Sequence, residues 1–124
     1  MALRSLIVDD NSHFLQAARD LLEREGIEVV AVASTGDAAV DLTERLRPDV
    51  ALVDIDLGAE SGFTLARRLA GEPGTQASRV ILISTYAERD FAELIVQSPA
   101  VGFLSKSDLS GAAIRDLLGT VSDD

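Results

Sequence analysis

The 124 residues predict an α/β domain: an open, doubly wound five-stranded parallel sheet in a three-layer (βα)5 sandwich. Three observations carry that expectation. Short apolar runs alternate with helical patterns five times along the chain. The runs are apolar at successive positions, as strands covered on both faces are. The length holds five β-then-α units in one domain but not the eight of a closed barrel.

The elements follow in order. Leu6-Ile7-Val8 reads as the first strand, stopped by Asp9-Asp10-Asn11. Asn11 or Ser12 caps a helix in which Phe14, Ala18, Leu21, Leu22 and Glu25 recur at helical spacing as far as Gly26. Residues 28–32 form the second strand. Thr35-Gly36-Asp37 then turns into a helix with Ala39, Val40, Thr43 and Leu46 on one side, which stops because Pro48 disfavours helix at Arg47. The third strand, residues 50–54, is a continuous apolar run ending on Asp54. A loop over 58–62 leads to a helix through Phe63, Leu65, Ala66 and Leu69, broken by Glu72-Pro73-Gly74-Thr75. Residues 80–84 give the fourth strand, followed by a helix from near Glu88 to Gln97 that Ser98-Pro99 ends. The fifth strand covers 101–104. The fifth helix runs from Leu109 to Val121, with Leu109, Ala113, Asp116, Leu117 and Val121 at helical intervals, and Ser122-Asp123-Asp124 is a frayed polar tail.

Composition narrows the function. Hydrophobic residues make up 47% and charged residues 26%, which excludes wholesale disorder. The absence of cysteine excludes a disulfide scaffold, a Cys-ligated zinc site, an iron–sulfur cluster and thiol catalysis. A formal net charge of −10 argues against gripping nucleic acid or an anionic membrane, and favours a cation or a basic partner. The single histidine, His13, belongs on the surface of the first helical turn and founds no metal or nucleophile system. No apolar run approaches a bilayer span, and the N-terminal stretch is too short for a signal sequence. The expectation is one soluble, cytoplasmic domain over residues 1–124, with any output domain outside this chain.

Ligands of open parallel sheets bind beyond the carboxyl ends of the strands. There the sequence places Asp9 and Asp10 after strand one, Asp54 at the end of strand three with Asp56 two residues on, Ser84 after strand four and Lys106 after strand five. If strands one and three are neighbours, three carboxylates share one small space. Two carboxylates about 4 Å apart repel by roughly 4 kcal/mol at an effective dielectric of 20. A fold needs no such cluster, but a hard divalent cation with oxygen ligands relieves it, and Mg²⁺ suits carboxylates joined by water and phosphate oxygens. Taken alone, Asp9 or Asp10 reads more readily as a helix cap. Asp54 does not, because it ends an apolar run and Ile55 follows it.

This pattern resembles the receiver (phosphoacceptor) domain of two-component response regulators, over essentially the whole chain. The residues that carry the resemblance are Val8-Asp9-Asp10-Asn11, Leu52-Val53-Asp54-Ile55-Asp56-Leu57, Ser84, Lys106, and Gly62 opening the third helix. It implies a flavodoxin-like fold, with Asp54 as phosphoacceptor taking its phosphoryl group from a sensor histidine kinase. It further implies Mg²⁺ held by Asp10, by Asp9 through water, by Asp54 and by the backbone carbonyl of Asp56. Lys106 would bind a phosphoryl oxygen and Asp54, Ser84 would donate its hydroxyl, and Phe103 would turn inward as the loop after strand four closes. Asp56 and Tyr86 flank the site and tune the lifetime of the acyl phosphate. Such a domain is a switch, not an enzyme beyond its own phosphorylation and dephosphorylation. The fourth helix, fifth strand and fifth helix are the expected output face and the surface of a phosphorylation-dependent homodimer. Residues 102–109 resemble regulators with a C-terminal helix-turn-helix DNA-binding domain, which would place transcription control outside this chain. Two positions depart from the family, Gly58 and Ser107, where proline is common. A looser loop is expected at the first, and a cis bond before the second costs about 3 kcal/mol without proline.

Rival readings fit less well. Asp54-Ile55-Asp56 is also the start of a haloacid-dehalogenase-type phosphatase motif, but Leu57-Gly58 follows where Gly-Thr belongs. An EF-hand fails at Ala59 and Leu65, and the glycine-rich nucleotide-binding loops have no match. The alternative from another class is a phosphorylation-independent, receiver-like interaction module.

Overall fold

The computed structural model describes residues 3–58, 60–71, 79–86 and 88–119. Five strands build the sheet: β1 (Leu3–Val8), β2 (Ile27–Ala33), β3 (Val50–Asp54), β4 (Arg79–Ser84) and β5 (Gly102–Ser105). Every pairing is parallel and the order is β2-β1-β3-β4-β5, the flavodoxin-like arrangement. The helices are α1 (Ser12–Arg24), α2 (Gly36–Leu46), α3 (Gly62–Gly71), α4 (Ala92–Gln97) and α5 (Gly111–Gly119).

Alternation along the strands divides the core in two. Ile7, Val50, Leu52, Ile81 and Ile83 pack against Leu15, Ala18 and Leu22 of α1 and Ile114 and Leu118 of α5. Leu6, Val8, Ala51, Val53, Val80 and Leu82 face the other way, onto Ala39 of α2 and Phe63, Leu65, Ala66 and Leu69 of α3. The inner strand β3 is buried at all five positions, which is why it reads as an unbroken apolar run. Arg47 ends α2 in the left-handed region (φ 50°), directly before Pro48.

Several expectations are corrected. The fourth helix is α-helical only over Ala92–Gln97, and Glu88–Phe91 forms a 3-10 turn. Phe91 offers no side-chain cap, and tight 3-10 bonding serves the uncapped amides of a helix start instead. Leu109 is buried but precedes α5, which begins at Gly111; the Ser110 hydroxyl accepts the Ala113 amide at that start. Asp116 is exposed, while Ile114 and Leu118 supply the buried face. In α1, Leu15 takes the core position and Phe14 stays half-buried. The 58–62 loop holds one side of a two-residue antiparallel ladder, Asp56–Leu57 against Glu60–Ser61, turned at Gly58 with φ +76°. The break at Glu72-Pro73-Gly74-Thr75, Val121 and the tail 122–124 lie outside the described residues.

Candidate functional site

β1 and β3 lie side by side with Val8 opposite Val53, so the acids that follow leave the sheet together. Asp9 is fully buried and Asp54 nearly so, at 6% exposure, whereas Asp10 faces solvent. One carboxylate oxygen from each of the three lies within 4.8 Å of the other two. Lys106, in the 3-10 turn after β5, reaches back between them. Its Nζ donates to Asp54 Oδ2 at 3.1 Å and forms an ion pair with Asp9 Oδ2 at 2.6 Å. The ammonium is thus the close partner of one oxygen from each buried acid.

The remaining carboxylate oxygens are served by local turns. Asp9 Oδ1 accepts from the Asn11 amide at 2.8 Å, and Asp54 Oδ1 from the Asp56 amide at 3.0 Å. Asn11 in turn caps α1, its Oδ1 accepting from the amides of His13 and Phe14. Gly62 is required by close approach: a Cβ there would stand 2.1 Å from the Asp54 carbonyl oxygen. Burial is the main influence on Asp54, raising its pKa above the ordinary value against the bonds from Asp56 and Lys106. Burial works against the Lys106 charge too, but its two carboxylate partners outweigh it and hold that pKa above the ordinary range.

These groups line a cleft of about 270 Å³ with Asp56, Gly58, Ser84, Thr85 and Tyr86. Ser84 is buried and its hydroxyl accepts from the Tyr86 amide at 2.9 Å. Tyr86 is 57% exposed and meets Phe91 edge-on. Asp56 is exposed and its Oδ1 accepts from the Gly58 amide. Phe103, on β5 beside Leu82, is already buried in the core, and His13 is on the surface. The Lys106–Ser107 bond is trans. A second, larger cavity of about 420 Å³, lined by Arg67, Ala70, Gln97, Ser98 and Pro99, shares no residue with this cleft and gathers no carboxylate.

The donor set fits a hard divalent cation: three carboxylate oxygens converge, two from buried acids and one from the solvent-facing Asp10. The sequence brought all the acids, Ser84 and Lys106 to this cleft, but it missed Phe14, over whose ring Lys106 Nζ sits 4.3 Å from the centroid. Helical spacing marked Phe14 as core, and no local pattern signals a contact with a residue so distant in sequence.

Fold and cleft together define a parallel α/β domain with an acid cluster poised for a cation at its topological switch point. The family model for the response regulator receiver domain matches residues 5–116, and the chain belongs to that family. It is 33% identical over 116 residues to a protein-glutamate methylesterase/protein-glutamine glutaminase of Alkalilimnicola ehrlichii, covering 90% of this chain and 29% of that one. It is 26% identical to the DNA-binding transcriptional activator EvgA of Escherichia coli K12, covering 86% and 51%. The chain thus spans about half or less of the length of these curated relatives. A solved response regulator from Burkholderia pseudomallei, bearing a phosphorylated aspartic acid, a calcium ion and citrate, superposes with a TM-score of 0.77 at 28% identity. That match covers 92% of this chain and 65% of the other. Receiver domains of this kind are the units that sensor histidine kinases phosphorylate. Among the described residues, no helix is long and apolar enough to cross a membrane.

Proposed function

We propose that Asp54 is the phosphoacceptor, taking a phosphoryl group from the phosphohistidine of a sensor histidine kinase and so driving a cytoplasmic switch. The observation that carries this reading is the Lys106 ammonium set between Asp9 and Asp54 at the floor of the acid-lined cleft. An Asp54 carboxylate oxygen attacks phosphorus in line, the P–N bond breaks, and its electron pair stays on the departing imidazole. Such transfers rest on positioning and electrostatics more than on covalent help from the protein. Asp9, Asp10, Asp54 and the Asp56 carbonyl would hold Mg²⁺, which when bound offsets the charge of the phosphoryl oxygens. Lys106 already donates to Asp54 and keeps protons for a phosphoryl oxygen. The Ser84 hydroxyl accepts from Tyr86 and directs its own proton to the phosphoryl group.

Ser84 and Phe103 connect this event to α4, β5 and α5. That face carries Leu94 at 50%, Val96 at 83% and Val101 at 43% exposure, the apolar surface on which phosphorylated copies associate. We infer transcription control as the output of the whole protein, through a C-terminal DNA-binding domain. The likeness of residues 102–109 to helix-turn-helix regulators and the kinship to EvgA support this. The domain itself performs only its own Mg²⁺-assisted phosphorylation and dephosphorylation.

Intact mass after incubation with a small acyl-phosphate donor and Mg²⁺ tests the reading. The wild type is expected to gain one phosphoryl group, with no gain in Asp54→Asn or in chelator. No gain in the wild type under any condition would overturn the assignment and leave an interaction module acting through the exposed α4 face.

A further inference from the structure

The Lys106 ammonium has a third neighbour. Besides Asp9 and Asp54 it lies over the Phe14 ring, 4.3 Å from the centroid. Phe14 is itself held in place: its amide donates to Asn11 Oδ1 at 3.1 Å, and the Asn11 amide donates to Asp9 Oδ1 at 2.8 Å. The contacts close a circuit, from Asp9 to Asn11, to Phe14, to Lys106, and back to Asp9 Oδ2 at 2.6 Å. Two of the three neighbours of the ammonium change during phosphoryl transfer. Asp54 exchanges its carboxylate charge for the charge of the phosphoryl oxygens when the mixed anhydride forms, and Asp9 is shared with the cation. The aromatic face does not change. It attracts a cation through its quadrupole, with no proton or ligand to exchange, and it keeps water from that side of the ammonium.

We propose that Phe14 is a positioning residue for Lys106, fixing the ammonium through its ring face while the charges around it are redistributed from carboxylate to phosphoryl oxygens and cation. This rests on the reading of Asp54 as phosphoacceptor. The test replaces Phe14 site-specifically with phenylalanines carrying one, two or three ring fluorines, which keep the shape while draining the face. The rate of phosphoryl uptake from a small acyl-phosphate donor in Mg²⁺ is expected to fall with each fluorine, to about fivefold for three, or about 1 kcal/mol. Phe14→Leu loses at least as much, and Phe14→Tyr stays within about twofold. Urea midpoints of the fluorinated series are expected to coincide, which separates positioning from a packing role. In the unphosphorylated wild type, the ring shifts the NMR signals of the Lys106 ε-methylene upfield, and Phe14→Leu abolishes the shift.

A flat fluorination series overturns the proposal. A wild type without the ring-current shift overturns the contact itself, whatever the kinetics. A wild type that shows the shift but takes up no phosphoryl group overturns the Asp54 reading, and the positioning role with it.

Discussion

The two helices that flank the cleft are built to opposite specifications. α1 has thirteen residues, a side-chain cap from Asn11 and three buried anchors, Leu15, Ala18 and Leu22. α4 has six residues, no side-chain cap and no buried residue; Ile95 and Phe91 only lean on the core. Asp9 and Asn11 immediately precede the first and Phe14 is in its opening turn, while the exposed Leu94 and Val96 belong to the second and Tyr86 lies on the loop that leads to it. Groups that meet phosphate need geometry held to a fraction of an ångström. A surface that must rearrange is drawn from the weakly held end of the molecule. A capped, well-anchored helix thus stands beside the acids, and a short, weakly anchored one follows the loop that carries Tyr86.

Four substitutions sharpen or break this contrast. The largest effect is expected at the buried acids. Lys106→Met leaves Asp9 and Asp54 buried without their cation, and removing one partner of such a group costs about 3–5 kcal/mol. Urea unfolding in chelator measures the loss, and added Mg²⁺ is expected to restore much of it. A loss under about 1 kcal/mol would mean that Lys106 does not hold the acids together.

Next comes Asp54→Asn, whose effect has a pH signature. Burial raises the Asp54 pKa above the ordinary 3.8, so ionising this group costs the fold stability. That cost is absent below 3.8, grows as pH rises toward the raised folded value, and is complete above it. Asp54→Asn is therefore expected to be more stable than the wild type at neutral pH in chelator, with the advantage fading below 3.8. An advantage that persists in acid would point to something other than the charge.

The smallest effect on the fold is expected at α4. Val96→Ser changes stability by less than about 0.5 kcal/mol, whereas Leu22→Ala in α1 costs about 2–5 kcal/mol. Sedimentation of phosphorylated Val96→Ser is expected to show less self-association than phosphorylated wild type. Equal association would remove α4 from the contact surface.

The sequence was most legible where packing is two-sided. Residues 50–54 are buried without exception, so their apolar run is unambiguous, and the strand ends that carry Asp9, Asp54 and Ser84 follow from it. Legibility failed where tertiary contacts outrank local pattern. Leu109 looks helical because it is apolar and well spaced, yet it is buried two residues before the helix, whose start Ser110 marks. The ladder around Gly58 depends on a left-handed turn that two flanking acids do not announce.

The site also has an order of manufacture. Asp54 precedes Lys106 by 52 residues, and chains grow at about 5–20 residues per second, so a nascent chain holds both acids for roughly 3–10 s before their lysine is made. During that interval the β1–β3 pair can close only over two like charges, eased by whatever cations the surroundings provide. Their lysine directly follows β5, which lies at the edge of the sheet and is the last of its strands to be synthesised. The last strand of the sheet and the neutralising charge therefore arrive in the same short stretch of chain, so a chain that stalls short of it lacks both.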